Sequence, residues 1–387
     1  MKKLMKVIGP GFIAAVSGFE LTNIIMFTKF GAAYGYLGFL LVIISMLPLT
    51  YLQQVISLPI MLFKESFIDY LKRLRSSIWY VVISSVIVSS LITLIINIIG
   101  LSVVLSQLTR FHWLVYALAL FSLSWVISSN TILSEKAFKI LSLLSLLLLV
   151  YIPVLVLNIK SLIETDNIVY TSISFIDLLA LWGACAAPYS LIVQALGEEE
   201  DFSSIYVGLV VSVLIGFTIA STGYIFLYPS KSFVLTDSIV PIITYGPLAL
   251  FAYVIGLSSS VLLASVTIVM TSSLLYAEVL RLNKNNINIS SYVNHTILFL
   301  IFMTLLVAMV MHVDNVSLYT DIVILGSGII GVMFTIPIIG LLAHYLHLYK
   351  TVTSSKKLLL INILYIMAII MISIVLSILG LIEFIVQ

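Results

Sequence analysis

Two short stretches of this sequence place polar groups inside long apolar runs. The first is Gly18-Phe19-Glu20-Leu21-Thr22-Asn23, within a run over 7–28. The Glu20 carboxylate and the Asn23 amide oxygen form an acceptor pair suited to a cation or an ammonium group. The second is Ala186-Ala187-Pro188-Tyr189-Ser190, within a run over 172–196. Pro188 removes a backbone donor and releases a carbonyl about one turn earlier. Ser190 adds a hydroxyl beside it. The stretches have the same effect: each weakens a helix and exposes oxygen acceptors where the chain is otherwise hydrocarbon.

Other chemistries lack their residues. The single cysteine, Cys185, excludes an internal disulfide framework and a thiolate metal cluster. The sequence contains no P-loop, no aspartyl-phosphate signature, no His-Glu-x-x-His helix and no nucleophile–base set. An enzyme, an ATP-driven pump and a nucleic-acid binder are therefore not expected, and no cofactor is implied. Three Asn-x-Ser/Thr matches, at Asn288, Asn294 and Asn315, read as chance in an Asn- and Ser-rich chain.

The elements that position the two stretches follow from composition. Of 387 residues, 62% are hydrophobic and 9% charged, against the roughly 25% charged residues of a soluble domain. Such a chain cannot build a water-facing shell. Backbone groups in lipid must bond internally, as helices or a closed barrel. The ~10-residue apolar–polar alternation of barrel strands is absent. Apolar runs near or above the ~20 residues of a crossing helix appear instead. They predict eleven spans, at about 7–28, 34–63, 78–107, 113–130, 137–158, 172–196, 204–229, 247–280, 292–313, 319–347 and 357–386. The whole chain, 1–387, reads as one transmembrane domain, with the lipid bilayer as its main partner. The first run carries Glu20 and Asn23 and lacks a cleavage pattern, so it is not read as a signal peptide.

Orientation follows from Lys and Arg in the loops. With the N-terminus in the cytosol, all 18 of them lie inside except Lys29, Arg110, Lys160 and Lys231. Glu198-Glu199-Glu200-Asp201 then forms a solvated cytosolic loop. His344 and His347 fall near the cytosolic end of the tenth span, where solvated side chains are expected. Short loops and the lack of a targeting segment fit the cell membrane.

The remaining acidic residues lie in loops or near span ends, which leaves Glu20 as the carboxylate near mid-bilayer. Interruptions in the first and sixth of ten spans are the pattern of an inverted-repeat transporter, five spans in each half.

These residues resemble the Nramp divalent-metal transporters. Ile8-Gly9-Pro10-Gly11-Phe12 is similar to that family's opening of helix one. Phe30-Gly31-Ala32-Ala33-Tyr34-Gly35-Tyr36 is similar to its link into helix two, and Gly183 through Ser190 to its helix-six motif. Leu257-Ser258-Ser259-Ser260 and the stretch 324–337 resemble helices eight and ten. The resemblance implies an all-α membrane fold of the LeuT type, a 5+5 inverted repeat with helices 1 and 6 broken. It implies breaks at Gly18, Thr22 and Pro188.

The departures are as informative. The family's helix-one Asp-Pro-Gly-Asn is Glu20-Leu21-Thr22-Asn23 here, and its helix-six Met-Pro-His-Asn is Ala187-Pro188-Tyr189-Ser190. Loss of the thioether shifts preference toward Mg, Ca and Mn. The space beside Ala187 suits an ion that keeps its waters, as Mg²⁺ prefers. The pattern is nearest to the Nramp-related magnesium transporters. The family's two helix-three acids align with Leu94 and Asn97, and its helix-six histidines with Tyr189 and Gln194. None of these replacements titrates near neutrality, so the usual proton coupling is not expected.

The expectation is a secondary transporter or facilitator working by alternating access. Glu20, Asn23 and Ser190 would be the metal ligands, helped by carbonyls near Phe19, Ala186 and Ala187. A monomer is expected. An organic solute is the competing substrate, with Glu20 pairing an ammonium and Tyr189 and Phe19 lining its apolar part.

Overall fold

The computed structural model describes residues 20–74, 77–158, 172–186, 202–228, 233–279, 289–310 and 316–386. Of the expected site residues, Gly18, Phe19, Ala187, Pro188, Tyr189 and Ser190 lie outside these ranges, as does the acidic loop at 198–201.

The chain forms α1 (Leu21–Phe63), α2 (Phe67–Leu74), α3 (Ser77–Thr109), α4 (Trp113–Ser128), α5 (Thr131–Ser145) and α6 (Tyr151–Leu157). A 3₁₀ segment, Leu146–Val150, joins α5 to α6. Then come α7 (Phe175–Ala186), α8 (Phe202–Leu227), α9 (Val240–Ile243), α10 (Pro247–Val279), α11 (Ile289–Val310), α12 (Val316–Thr351) and α13 (Lys356–Val386). Among the described residues, seven helices are long and apolar enough to cross a membrane, and α4 and α7 are shorter apolar helices. Described helices fall within all eleven expected runs.

The runs at 7–28 and 34–63 were expected as separate helices, and their described parts are two helices joined in one 43-residue stretch, α1, across a kink at Gly35. At 1.5 Å per residue that is about 64 Å, twice the hydrocarbon thickness, so α1 must double back. The bend needs glycine: Gly35 has φ 58° and ψ −133°, and a Cβ there would press on the Tyr228 ring at 2.8 Å. The bend falls inside the Phe30–Tyr36 stretch, which the resemblance reads as the link between the two runs.

The helix α2 was not expected. It is too short to cross, and it buries Phe67, Ile68, Tyr70 and Leu71 on one face. Ser66 caps its start, accepting from the Asp69 amide at 3.0 Å. Asp69 in the first turn and Lys72 and Arg73 in the last suit the helix dipole. Burial, and then the Glu65 carboxylate, push the Tyr70 phenol above its ordinary pKa.

This helix also corrects the expectation for His344, which is fully buried. Its ring stacks on Tyr70, with centroids 4.7 Å apart. Its Nε2 lies 3.6 Å from Glu65 Oε1. Span position alone could not show that α2 folds back over the end of α12.

Polar side chains in the bundle mostly satisfy themselves locally. Thr28 donates to the Ile24 carbonyl, Ser102 to Ile98 and Thr304 to Leu300, each four residues back. Such back-bonding removes the cost of a hydroxyl in hydrocarbon without specifying a partner helix. Partner choice comes from small residues. Gly31 faces the Ala220 carbonyl oxygen, and Gly183 the Ser327 carbonyl oxygen, so closely that an added Cβ would overlap either oxygen. These contacts seat α1 on α8 and α7 on α12, the close approach that small residues allow between membrane helices.

Gly183→Ala is therefore expected to lower stability by at least about 1–3 kcal/mol through overpacking against backbone. Gly328→Ala, whose Cβ would meet only Leu179 at 3.9 Å, is expected to be near neutral. Apparent melting temperatures of the two variants in detergent check this.

Candidate functional site

Glu20 immediately precedes α1, with φ −95° and ψ 173°. Its carbonyl accepts from Asn23 N at 3.1 Å and Ile24 N at 3.3 Å, opening the helix. The Glu20 side chain does not cap this start itself. The Glu20 carboxylate, 2% exposed, turns instead to α3, where Asn97 Nδ2 donates to its Oε2. Asn97 Oδ1 in turn accepts from Thr22 N at 3.3 Å and Thr22 Oγ1 at 3.2 Å. One amide thus binds both the carboxylate and the first turn of the helix that follows it. The arrangement orients the amide, with nitrogen toward the carboxylate and oxygen toward the donors.

Thr22 was expected as part of the interruption. It lies within α1, so the extended residue adjoining the helix is Glu20. Asn23 is buried one turn in. Leu21 and Tyr319 cover this site through α3: both side chains occupy the space over Gly100, and Tyr319 donates its hydroxyl to the Ile96 carbonyl. Ala186, the last residue of α7, is buried as well.

A second polar link joins α1 to α7. Lys29 Nζ on α1 lies 2.6 Å from Asp177 Oδ1 on α7, and Tyr34 donates to Asp177 Oδ2 at 2.6 Å. From that pair α1 runs nine residues back to Glu20, and α7 runs nine residues on to Ala186, about 13 Å along each helix at 1.5 Å per residue. Glu383, near the end of α13, extends the link by accepting from Ile176 N at 2.9 Å and Ser174 Oγ at 3.1 Å.

Sequence reasoning missed the roles of Asn97, Lys29, Asp177 and Glu383. Asn97 had a readable signal, being a strongly polar side chain inside the third apolar run. The pairing of Lys29 with Asp177 had none, since each looks like an ordinary charge near a span end. Among the described residues, no group of three His, Cys, Asp or Glu side chains is placed to hold a metal. Any ion here would rely on one carboxylate, amide and backbone oxygens, and its own water.

No family model and no curated protein match the sequence. Solved structures do resemble the chain. A crystal structure of a mutant of the Eremococcus coleocola manganese transporter has a TM-score of 0.68 at 16% identity, covering 99% of this chain and 95% of that one. The same transporter in complex with an aromatic bis-isothiourea substituted compound gives 0.66 over the same shares, also at 16% identity. The chain has the fold of these transporters. MhsT in complex with L-phenylalanine shares it too, with a TM-score of 0.62 at 14% identity over 97% of each chain. The expected LeuT-type architecture is thus confirmed at the level of fold, and with it a multi-pass membrane protein.

Two outcomes test the site's construction. Asn97→Leu leaves the Glu20 carboxylate and the Thr22 amide without this partner. It is expected to lose about 1–3 kcal/mol of stability, read as a lower apparent melting temperature in detergent. Lys29→Met strands the mostly buried Asp177 carboxylate, with an expected loss of about 3 kcal/mol. The double variant Lys29→Met, Asp177→Leu should recover most of that loss in the same assay.

Proposed function

We propose that this chain is a secondary transporter or facilitator that moves a divalent cation of the Mg²⁺ or Mn²⁺ kind by alternating access. One observation carries the reading. A buried carboxylate stands at the start of a helix in the middle of an apolar bundle, where Asn97 of α3 bonds to it. Such a group is expensive to retain in hydrocarbon unless it binds something.

Glu20 supplies the charge and Asn23 an amide oxygen. Phe19, Ala186 and Ala187 contribute carbonyls, Ser190 contributes a hydroxyl, and Tyr189 lines the site. Asn97 holds the carboxylate in place. A carboxylate has about four lone-pair sites, so one bond from Asn97 uses only part of its acceptor capacity. A single carboxylate leaves a divalent ion at net +1, which favours an ion that keeps much of its hydration. The sequence resemblance to Nramp proteins and the shared fold with a manganese transporter support the substrate class.

The neutral Asn97 stands where the resemblance places an acid, which argues against the family's usual proton coupling. The membrane potential then drives uptake. Two charges gain about 4.6 kcal/mol at 100 mV, roughly a thousandfold accumulation. The same reading has a monomer with eleven spans and a 5+5 repeat, in the cell membrane, with the N-terminus cytosolic and the Lys29–Asp177 pair on the outer side.

A second reading has one observation in its favour: a neighbour of the same fold was solved with an amino acid bound. Glu20 would then pair the ligand ammonium.

Uptake of Mg²⁺ and Mn²⁺ into proteoliposomes under a set potential tests the proposal. Uptake is expected in the wild type without internal acidification, and Glu20→Ala is expected to lose it. Absence of flux for both ions, from protein shown to be folded, would sink the metal reading and direct the search to amines and amino acids.

A further inference from the structure

Helix α7 is bonded to α13 at two points, and Leu179 packs against Gly380 between them. At one end Glu383 accepts from Ser174 and Ile176. At the other, Trp182 donates its indole N–H to Ser373 Oγ at 2.9 Å. Ser373 and Glu383 are ten residues apart, about 15 Å along the helix. Between them lies a groove of about 340 Å³, walled by Ile176 and Leu179 of α7, Gly328 and Val332 of α12, and Ser377 and Leu381 of α13.

The lining offers water nothing to bind. Ser377 carries the only polar side chain in it, and that hydroxyl is turned back onto the Ser373 carbonyl at 2.7 Å. Water enters a cavity only where it finds about two to four polar partners. Gly328 opens the α12 wall, since a Cβ there would meet only Leu179 at 3.9 Å, whereas Gly380 sits close against Leu179 on the α13 side.

The groove also opens sideways. Ile329, Leu381 and Phe384 on its rim are each at least half exposed. They continue the apolar outer surface of α12 and α13, two helices long enough to cross the bilayer. That surface faces hydrocarbon, so whatever fills the groove comes from the hydrocarbon.

We propose that the groove is a lipid site, which holds one acyl chain of a membrane phospholipid lengthwise between the two polar links. An unfilled slot would forfeit dispersion contacts along all three walls, and an acyl chain has the narrow, apolar shape to restore them. The bound chain lies against α7, which carries Ala186, so it packs on one of the elements of the candidate site. The inference rests on the membrane-spanning fold and not on the identity of the transported species.

Trp182 reports on the site, being buried and bonded to α13 one turn from Ser377. A variant retaining Trp182 alone (Trp79→Phe, Trp113→Phe, Trp125→Phe) would be placed in vesicles of phosphatidylcholine with or without brominated acyl chains. Bromine in the groove is expected to quench Trp182 fluorescence. Gly328→Leu, which fills the groove from α12, is expected to abolish most of that quenching. Ser377→Leu, which fills it from α13, should do the same and serves if the first variant does not fold. Weak quenching in the parent, or equal quenching in parent and filled variants, overturns the proposal. Mass spectrometry of the unaltered protein released from detergent is a second readout. A retained phospholipid supports the site, and protein released wholly free of lipid counts against it.

Discussion

Inside a bilayer no solvent completes an unmet hydrogen bond, and most of this structure can be read from where its polar groups find partners. Hydroxyls of Ser and Thr turn back onto their own helices and place no demand on the rest of the bundle. Charged side chains cannot do so. Among the described residues, the Glu20 carboxylate, the Lys29 ammonium and the Asp177 carboxylate take partners from other helices. Their solutions, Asn97 for the first and each other for the second and third, tie α1 to α3 and α1 to α7.

Apolar packing then distinguishes fixed contacts from loose ones. Gly183 brings α7 against α12 at backbone distance, and Gly31 brings α1 against α8. On its other side α7 meets α13 through polar links at Ser174, Ile176 and Trp182 and through Leu179 against Gly380, with the groove alongside these contacts.

A single neutral amide on α3 completes the construction. Asn97 donates to the Glu20 carboxylate and accepts from the helix start, a combination that an ionised acid cannot provide.

The amino-acid sequence by itself determined the helical membrane class, the approximate runs, and the singularity of Glu20, because a bilayer makes apolar length and buried charge stand out. It also carried enough of the pattern around Glu20 and Pro188 to indicate the fold. It did not reveal that α2 buries His344 or that Asn97 is the partner of Glu20. The physical reason is that lipid is as apolar as a protein core. Residues facing lipid and residues facing other helices look alike along the chain, so hydropathy marks a span but not its inward face. Which helices meet, and which polar groups pair across them, was decided by the tertiary structure through close approach at glycines and the few bonds that no helix could make within itself.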